Sequence, residues 1–388
     1  MHAPSADAER GASELGDERS APLRTCTLVR VERAESNGLG RGWIVSRLGE
    51  LRGFRVGDLA VAVLAYAAVP RTSREVLAFF SHVDVNLVTA TWAALHSGGF
   101  LEAACGQRAL ADELAAWRAD GWRAASAYHF HTYGYPFERY DEVGASDEDA
   151  RRMHAYAAEQ PDRDRGKTYA GTSRIPLPKP HADLLPTSVV DLVTHRSTIR
   201  PLDADRLMTL LSLTACSTGE SALPWPGAAP VIRKTSPSGG SRHPTEVYLL
   251  NCGVAGLPAG WSHVDSLSCE LETLDSEPVT TRELATLFSS LVGHAAYDVE
   301  AVVVFTCVFA RNRYRYREPR TFRTIHMDVG HLLTTAEIVA SGLGIAAASL
   351  NSVDSRKFGP TLGLDPLTEA PIAGLLVGSH DSTATASR

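Results

Sequence analysis

The segment from His326 to Leu343 constrains this chain more than any other, because it is helical in period and apolar on nearly every side. Leu332, Ala336, Val339 and Leu343 share one face, while Leu333, Ile338 and Ala340 occupy others. A helix of that kind is expected at the centre of a core, with other elements packed around it. Its surroundings alternate in type. SVVDLVTHR (188–196), DRLMTLLSLTA (205–215) and TTRELATLFSSLVGH (280–294) read as helices, and TEVYLLN (245–251), EAVVVFTCVFA (300–310) and PIAGLLVG (371–378) as strands. Such alternation is the grammar of α/β or α+β domains. Pattern alone leaves both classes open.

The first half reads differently. TCTLVRVE (25–32) has the pattern of a strand, and helical patterns follow at about 57–68, 73–81 and 86–97. Thr72 and Glu75 have capping-box spacing, Val88, Trp92 and Leu95 share one face of the third helix, and Gly98-Gly99 ends it before FLEAA, a candidate wing strand. That order suggests a winged helix. DNA binding does not fit, because residues 51–125 hold seven Arg, no Lys and seven Asp or Glu; peptide recognition or dimer contact is the better expectation. The expected layout is a disordered start (1–22), a winged-helix-like domain (23–145), a helix and extended linker (146–186), the main domain (187–380) and a disordered tail (381–388).

A net charge of -7 gives no basic field for nucleic acid or an anionic membrane. The chain has neither a signal-peptide pattern nor an apolar run of membrane-spanning length, so a cytoplasmic protein is expected. The six cysteines are scattered without C-x-x-C spacing, which reads as free thiols rather than a zinc or redox pair. His326 and His331 stand five residues apart, off the i, i+4 register of a helical metal pair, and no metal is expected.

Three clusters could carry chemistry. Arg196-Ser197-Thr198-Ile199-Arg200 offers two guanidiniums around two hydroxyls, either a phosphate clamp or a solvated helix end. Ser236-Pro237-Ser238-Gly239-Gly240-Ser241-Arg242-His243-Pro244 permits close approach of backbone N–H groups to a flat ligand, or is an ordinary turn entering a strand. Arg311-Asn312-Arg313-Tyr314-Arg315-Tyr316-Arg317 is either a solvated loop or a catalytic one, with a tyrosine able to exchange a proton beside a fixed charge. His243 and His331 are secondary candidates, His331 as a proton shuttle or a hydrogen-bonded core histidine. Several hydrolase, kinase and Rossmann motifs find no usable context.

In this order, the clusters resemble the flavin-dependent dehydrogenases of the nitroreductase superfamily, of the SagB/ThcOx type that oxidises residues of ribosomal peptides, and especially a peptide-maturation dehydrogenase variant. Arg196, Thr198 and Arg200 fall on that family's R-x-S/T-x-R motif, PSGGSRHPTEVYLL on its P-S-G-G-x-x-P-x-E-x-Y-L signature, and RYRYREPRTFRTIHMDVGHLL to ASGLGIAAASL on its later stretch. YHFHTYGYPFERYDE (128–142) resembles the lead-in between its winged-helix and catalytic domains.

The resemblance implies an α+β fold, a central helix on a mixed sheet, with FMN at a homodimer interface, held by Arg196, Ser197, Thr198, Arg200, Pro237, Ser238, Gly239, Gly240 and Ser241. It also implies hydride transfer from a precursor peptide to flavin N5, azoline to azole being one case, with a cyclase or scaffold protein as candidate partner. The azoline oxidases carry a Lys-Tyr pair where this chain has Arg315-Tyr316. Arginine keeps its proton, so proton abstraction is expected to fall to Tyr316 or another group, and either the substrate differs from an azoline or Arg315 positions a carbonyl or carboxylate. An NAD(P)H-using reductase of dehydroamino acids or small electrophiles is a second reading, and a non-catalytic peptide-binding or regulatory winged-helix protein a third.

Overall fold

The computed structural model describes residues 22–380 except 27–28, 35–41, 48–52, 104–107, 134–141, 160–164, 186–187, 189–199, 223–229, 275–277, 289–296 and 352. The helix expected over 188–196 lies outside these residues, save Ser188. The chain forms two compact units, Met1–Arg139 and Tyr140–Arg388.

The first unit runs β1 (Leu23–Thr25), β2 (Val29–Arg33), β3 (Trp43–Arg47), β4 (Gly53–Val56), α1 (Asp58–Tyr66), α2 (Ser73–Phe79), α3 (Val85–Ser97), β5 (Leu101–Ala103), α4 (Arg108–Ala119) and α5 (Arg123–Tyr133). The capping box at α2 forms as its spacing predicts, Glu75 accepting from the Thr72 N–H at 2.7 Å and Thr72 from the Glu75 N–H at 3.3 Å. Val63, Leu64, Val76, Val88 and Leu95 from α1, α2 and α3 bury together with Val45 of β3. The stretch read as one strand divides into β1 and β2. β2, β3 and β4 make an antiparallel sheet, and the expected wing strand, β5, pairs with β1.

The second unit begins with a polar helix, α6 (Ala145–Glu159), followed by β6 (Ser173–Pro176), α7 (Ala204–Ala215), β7 (Ser217–Ser221), β8 (Val231–Lys234), β9 (Thr245–Asn251), β10 (Gly260–Asp265) and β11 (Glu270–Thr273). Then come α8 (Thr281–Leu287), β12 (Tyr297–Val308), α9 (Phe309–Arg315), α10 (Thr321–Leu343), β13 (Ala346–Leu350), α11 (Ser355–Leu362) and β14 (Glu369–His380). Seven strands join in the order β13-β14-β12-β9-β10-β11-β6. The sheet was expected to be mixed, but each of these pairings is antiparallel. Part of the expected extended linker is its edge strand, β6, since prolines are tolerated at sheet edges.

Strand alternation builds two cores. Val247 and Leu249 face α7 and α10 with Val303, Phe305 and Leu375; Tyr248 and Leu250 face α8 and α11 with Trp261, Phe288 and Phe358. The central helix α10 packs on its Ile325, Val329, Leu332, Ala336, Val339 and Ala340 side. It is not buried all round as its composition suggests: Phe322, His326, Met327, Gly330 and His331 are exposed. Among the described residues no helix is long and apolar enough to cross a membrane.

Candidate functional site

The Ser236–His243 loop lies between β8 and β9, and its shape is set by α10. Asp328, two turns into that helix on its buried face, accepts from Ser238 Oγ at 2.7 Å and from the Gly239 N–H at 3.1 Å. Burial raises the Asp328 carboxyl above the ordinary carboxylate range, outweighing the lowering by these two donors. Ser238 Oγ in turn accepts the His243 N–H at 2.9 Å, and the Ser241 N–H returns to the Ser238 carbonyl at 3.0 Å. The loop therefore closes on itself around one serine.

Its backbone bends through the left-handed region at Gly240 (φ 59°), Ser241 (φ 51°) and His243 (φ 43°). The paired glycines read either as room for a flat ligand or as an ordinary turn entering a strand; in the structure protein atoms already require them. A Cβ at Gly239 would stand 2.4 Å from Thr324 Cγ2, and one at Gly240 would stand 2.1 Å from Tyr316 Oη. The Gly239 and Ser241 N–H groups are spent on Asp328 and Ser238, so two of the expected ligand donors are engaged within the protein. Those bonds do not use the Gly240 N–H or the Ser241 hydroxyl.

Tyr316 follows α9, and the structure brings it against Gly240. The run 311–317 is neither of the loops expected: most of it is a helical turn in which Arg311, Asn312 and Tyr314 are buried. Arg311 pairs with Glu246 and donates to the His243 carbonyl at 3.1 Å. Burial alone would raise the Glu246 carboxyl, but Arg311, His263 and Lys234 outweigh it and hold it at about 2. His263, fully buried, bridges Glu246 at 3.0 Å and Glu272 at 2.8 Å, tying three strands together below the site.

Arg315 donates to Asp149 of α6 at 2.6 Å, with its guanidinium carbon 5.0 Å from the Tyr316 ring centroid. Arg317 reaches the same helix, pairing with Glu159 at 3.0 Å and lying 3.6 Å from the Tyr156 ring centroid. Arg315 thus already has a carboxylate, from a residue 166 positions earlier. That partner was not legible beforehand, and neither was the clamp by Thr324 and Asp328. Next to Tyr316 opens a cavity of about 900 Å³, with Phe309, Tyr314, Phe322 and Ile325 among its walls.

Of the secondary candidates, His243 is buried and hydrogen-bonds the Ile232 carbonyl through Nε2 at 2.9 Å. Burial, helped by Lys234 and Arg311 and opposed by the Ile232 bond, pushes it down to about 4, so it is neutral near pH 7. His331 is exposed on α10, which corrects the reading of it as a core histidine. Pro237 and Arg200 are exposed, and the Arg200 N–H donates to the Gly344 carbonyl at 2.9 Å. Arg196, Ser197 and Thr198 lie outside the described residues.

Within the α+β unit built around this loop, residues 193–379 match the nitroreductase family. Within the chain, 152 residues are 30% identical to the trifolitoxin-processing protein TfxB of Rhizobium leguminosarum bv. trifolii, covering 39% of this chain and 41% of that one. Another 153-residue alignment is 27% identical to the microcin B17-processing protein McbC of Escherichia coli, covering 38% and 54%. The chain thus spans about half the length of these relatives. Among solved structures, the E. coli microcin synthetase McbBCD complex with truncated pro-MccB17 superposes with a TM-score of 0.39 at 18% identity, over 65% of this chain and 86% of that one.

Proposed function

We propose that the chain is an FMN-dependent dehydrogenase that oxidises a residue of a ribosomally made peptide. The observation that carries this reading is the placement of the Tyr316 hydroxyl against Gly240 in a loop clamped by Asp328, within the stretch that matches the nitroreductase family. The names of the relatives, processing proteins of trifolitoxin and microcin B17, support a peptide as substrate.

The donor set fits a flavin in part. The Gly240 N–H and Ser241 hydroxyl remain for the ring edge and exposed Arg200 for the phosphate, with Arg196, Ser197 and Thr198 as further phosphate ligands. When bound, the flavin supplies the two-electron acceptor. The chain's own residues do the rest. The Asp328 clamp fixes the loop backbone, and Tyr316 Oη relays the substrate proton, passing its own hydroxyl proton on to solvent as it receives one. Arg315 is a positioning residue: it stays charged, is held by Asp149, and keeps the Tyr316 ring in place. A homodimer, and a cyclase or scaffold partner, belong to the same proposal.

The test is the visible spectrum of the purified protein with chromatographic identification of the released flavin, followed by turnover of a candidate peptide. Bound FMN, its loss in Arg196→Ala/Arg200→Ala, and retained FMN with lost turnover in Tyr316→Phe are expected. A colourless protein that refuses added FMN would overturn the reading, and rapid anaerobic bleaching by NADPH but not by peptide would make the enzyme a reductase.

A further inference from the structure

The cavity beside Tyr316 carries features that the redox reading does not use. Two of its lining residues hold buried polar atoms with nothing to bond. Asn312, 1% exposed, has neither its Oδ1 nor its Nδ2 hydrogen-bonded among the described residues, and Thr321, 7% exposed, has an unpartnered Oγ1. Buried amides and hydroxyls are ordinarily paired, and an orphaned group in a pocket wall is a mark of a missing partner. A primary amide offers one donor and one acceptor side by side, the complement of a peptide group.

The charge around the cavity is equally specific. Residues 309–325 hold six arginines and one glutamate, in a chain of net charge -7. Arg311, Arg315 and Arg317 are matched by Glu246, Asp149 and Glu159. Arg313, exposed on the cavity wall, has no ion pair among the described residues. The walls between these polar points are aromatic, and Phe322 is 46% exposed while Leu367 is 80% exposed. At about 900 Å³ the space lies at the upper end of ordinary ligand pockets, ~300–1,000 Å³.

We propose that this cavity binds the substrate peptide next to the oxidised residue and selects an aromatic residue followed by an acidic one. The aromatic side chain sits among Phe309, Tyr314 and Phe322, the adjoining peptide group pairs with Asn312 and Thr321, and the carboxylate meets Arg313. The inference rests on the reading of the substrate as a peptide.

The test uses three fluorescein-labelled hexapeptides, with Phe-Glu, Phe-Gln or Phe-Lys between glycines, titrated against the full chain by anisotropy. The Phe-Glu probe is expected to bind about fivefold tighter than Phe-Gln, as for one exposed ion pair, and to lose that margin at high salt. Arg313→Glu should transfer the preference to Phe-Lys. Asn312→Leu and Thr321→Val should weaken all three probes while keeping or raising the melting temperature, because each removes an unpaired buried group. A purely structural residue would lower it. Equal binding of the probes, a preference unmoved by Arg313→Glu, or full binding by a stabilised Asn312→Leu overturns the proposal. So does self-association of the chain that is abolished by Arg313→Glu without any peptide preference. No flavin or turnover enters these readings. A colourless protein with an intact Phe-Glu preference would sink the flavin assignment alone, and an FMN-loaded protein without it would sink this inference alone.

Discussion

Replacing Asp328 by leucine deprives two donors of their acceptor at once, and the size of the effect can be worked from the loop. Ser238 Oγ and the Gly239 N–H lie 2.7 and 3.1 Å from the carboxylate, on a residue 2% exposed. Leucine leaves the Gly239 N–H without a partner and loses a charge-assisted bond to Ser238, together about 3 kcal/mol. Asparagine is the informative control. Its oxygen can keep the Gly239 N–H, and its amide can donate to Ser238, whose hydroxyl can turn, so only about 1 kcal/mol is lost. For a unit of this size one kcal/mol is worth roughly 2–4 °C in Tm. Thermal unfolding should then place Asp328→Leu about 6–12 °C below the parent and Asp328→Asn about 2–4 °C below. Equal losses in the two variants would mean that side-chain volume, not acceptor geometry, holds the loop.

Gly240→Ala should destabilise by at least ~1–2 kcal/mol from its left-handed backbone, with the clash against Tyr316 Oη added. Combining it with Tyr316→Phe should recover part of that in chemical denaturation; no recovery would separate the two residues. A double-mutant cycle of Arg315→Ala and Asp149→Ala should give a coupling of about 0.5–3 kcal/mol, and additive effects would show that α6 is not held there. His243 is pushed down to about 4 in the folded chain, against ~6.5 unfolded. The unfolded state therefore binds the proton first. Stability is complete above pH 6.5 and falls as pH drops toward 4, by about 3 kcal/mol, and His243→Gln should flatten that slope.

The long elements were legible because their signal is local. The first three helices of the first unit stand within two or three residues of their apolar patterns, β9 and β14 contain the strands read at 245–251 and 371–378, and β12 covers the strand read at 300–310 except its last two residues, which open α9. Short strands such as β3 and β4 carry too few alternations to register, and α10 read as buried all round because composition does not say which side meets water. In the site, the glycine loop and Tyr316 stood out by residue type. Their contact, across 76 positions of sequence, did not, nor did the Arg315–Asp149 pair. The serine, the aspartate and the tyrosine meet only because β8, β9 and α10 converge, and pairings of that range leave no local pattern.

The position of β6 has a consequence for how such a domain can be cut. The family match begins at residue 193, yet two of the carboxylates buried inside it are neutralised from upstream. Lys167 reaches Glu369 at 2.7 Å, and Thr168, the Tyr169 N–H and Arg174 all converge on Glu272, which is fully buried. A fragment starting at 193 keeps both acids and discards these partners. Glu272 is then left with His263, and Glu369 with Tyr248 and Thr306, and removing the cation from a buried pair costs up to about 3–5 kcal/mol, against the ~5–15 kcal/mol that holds a whole domain folded. The stretch shared with relatives and the stretch able to stand alone are therefore different lengths of chain, and the segment between them acts as a counterion for the sheet.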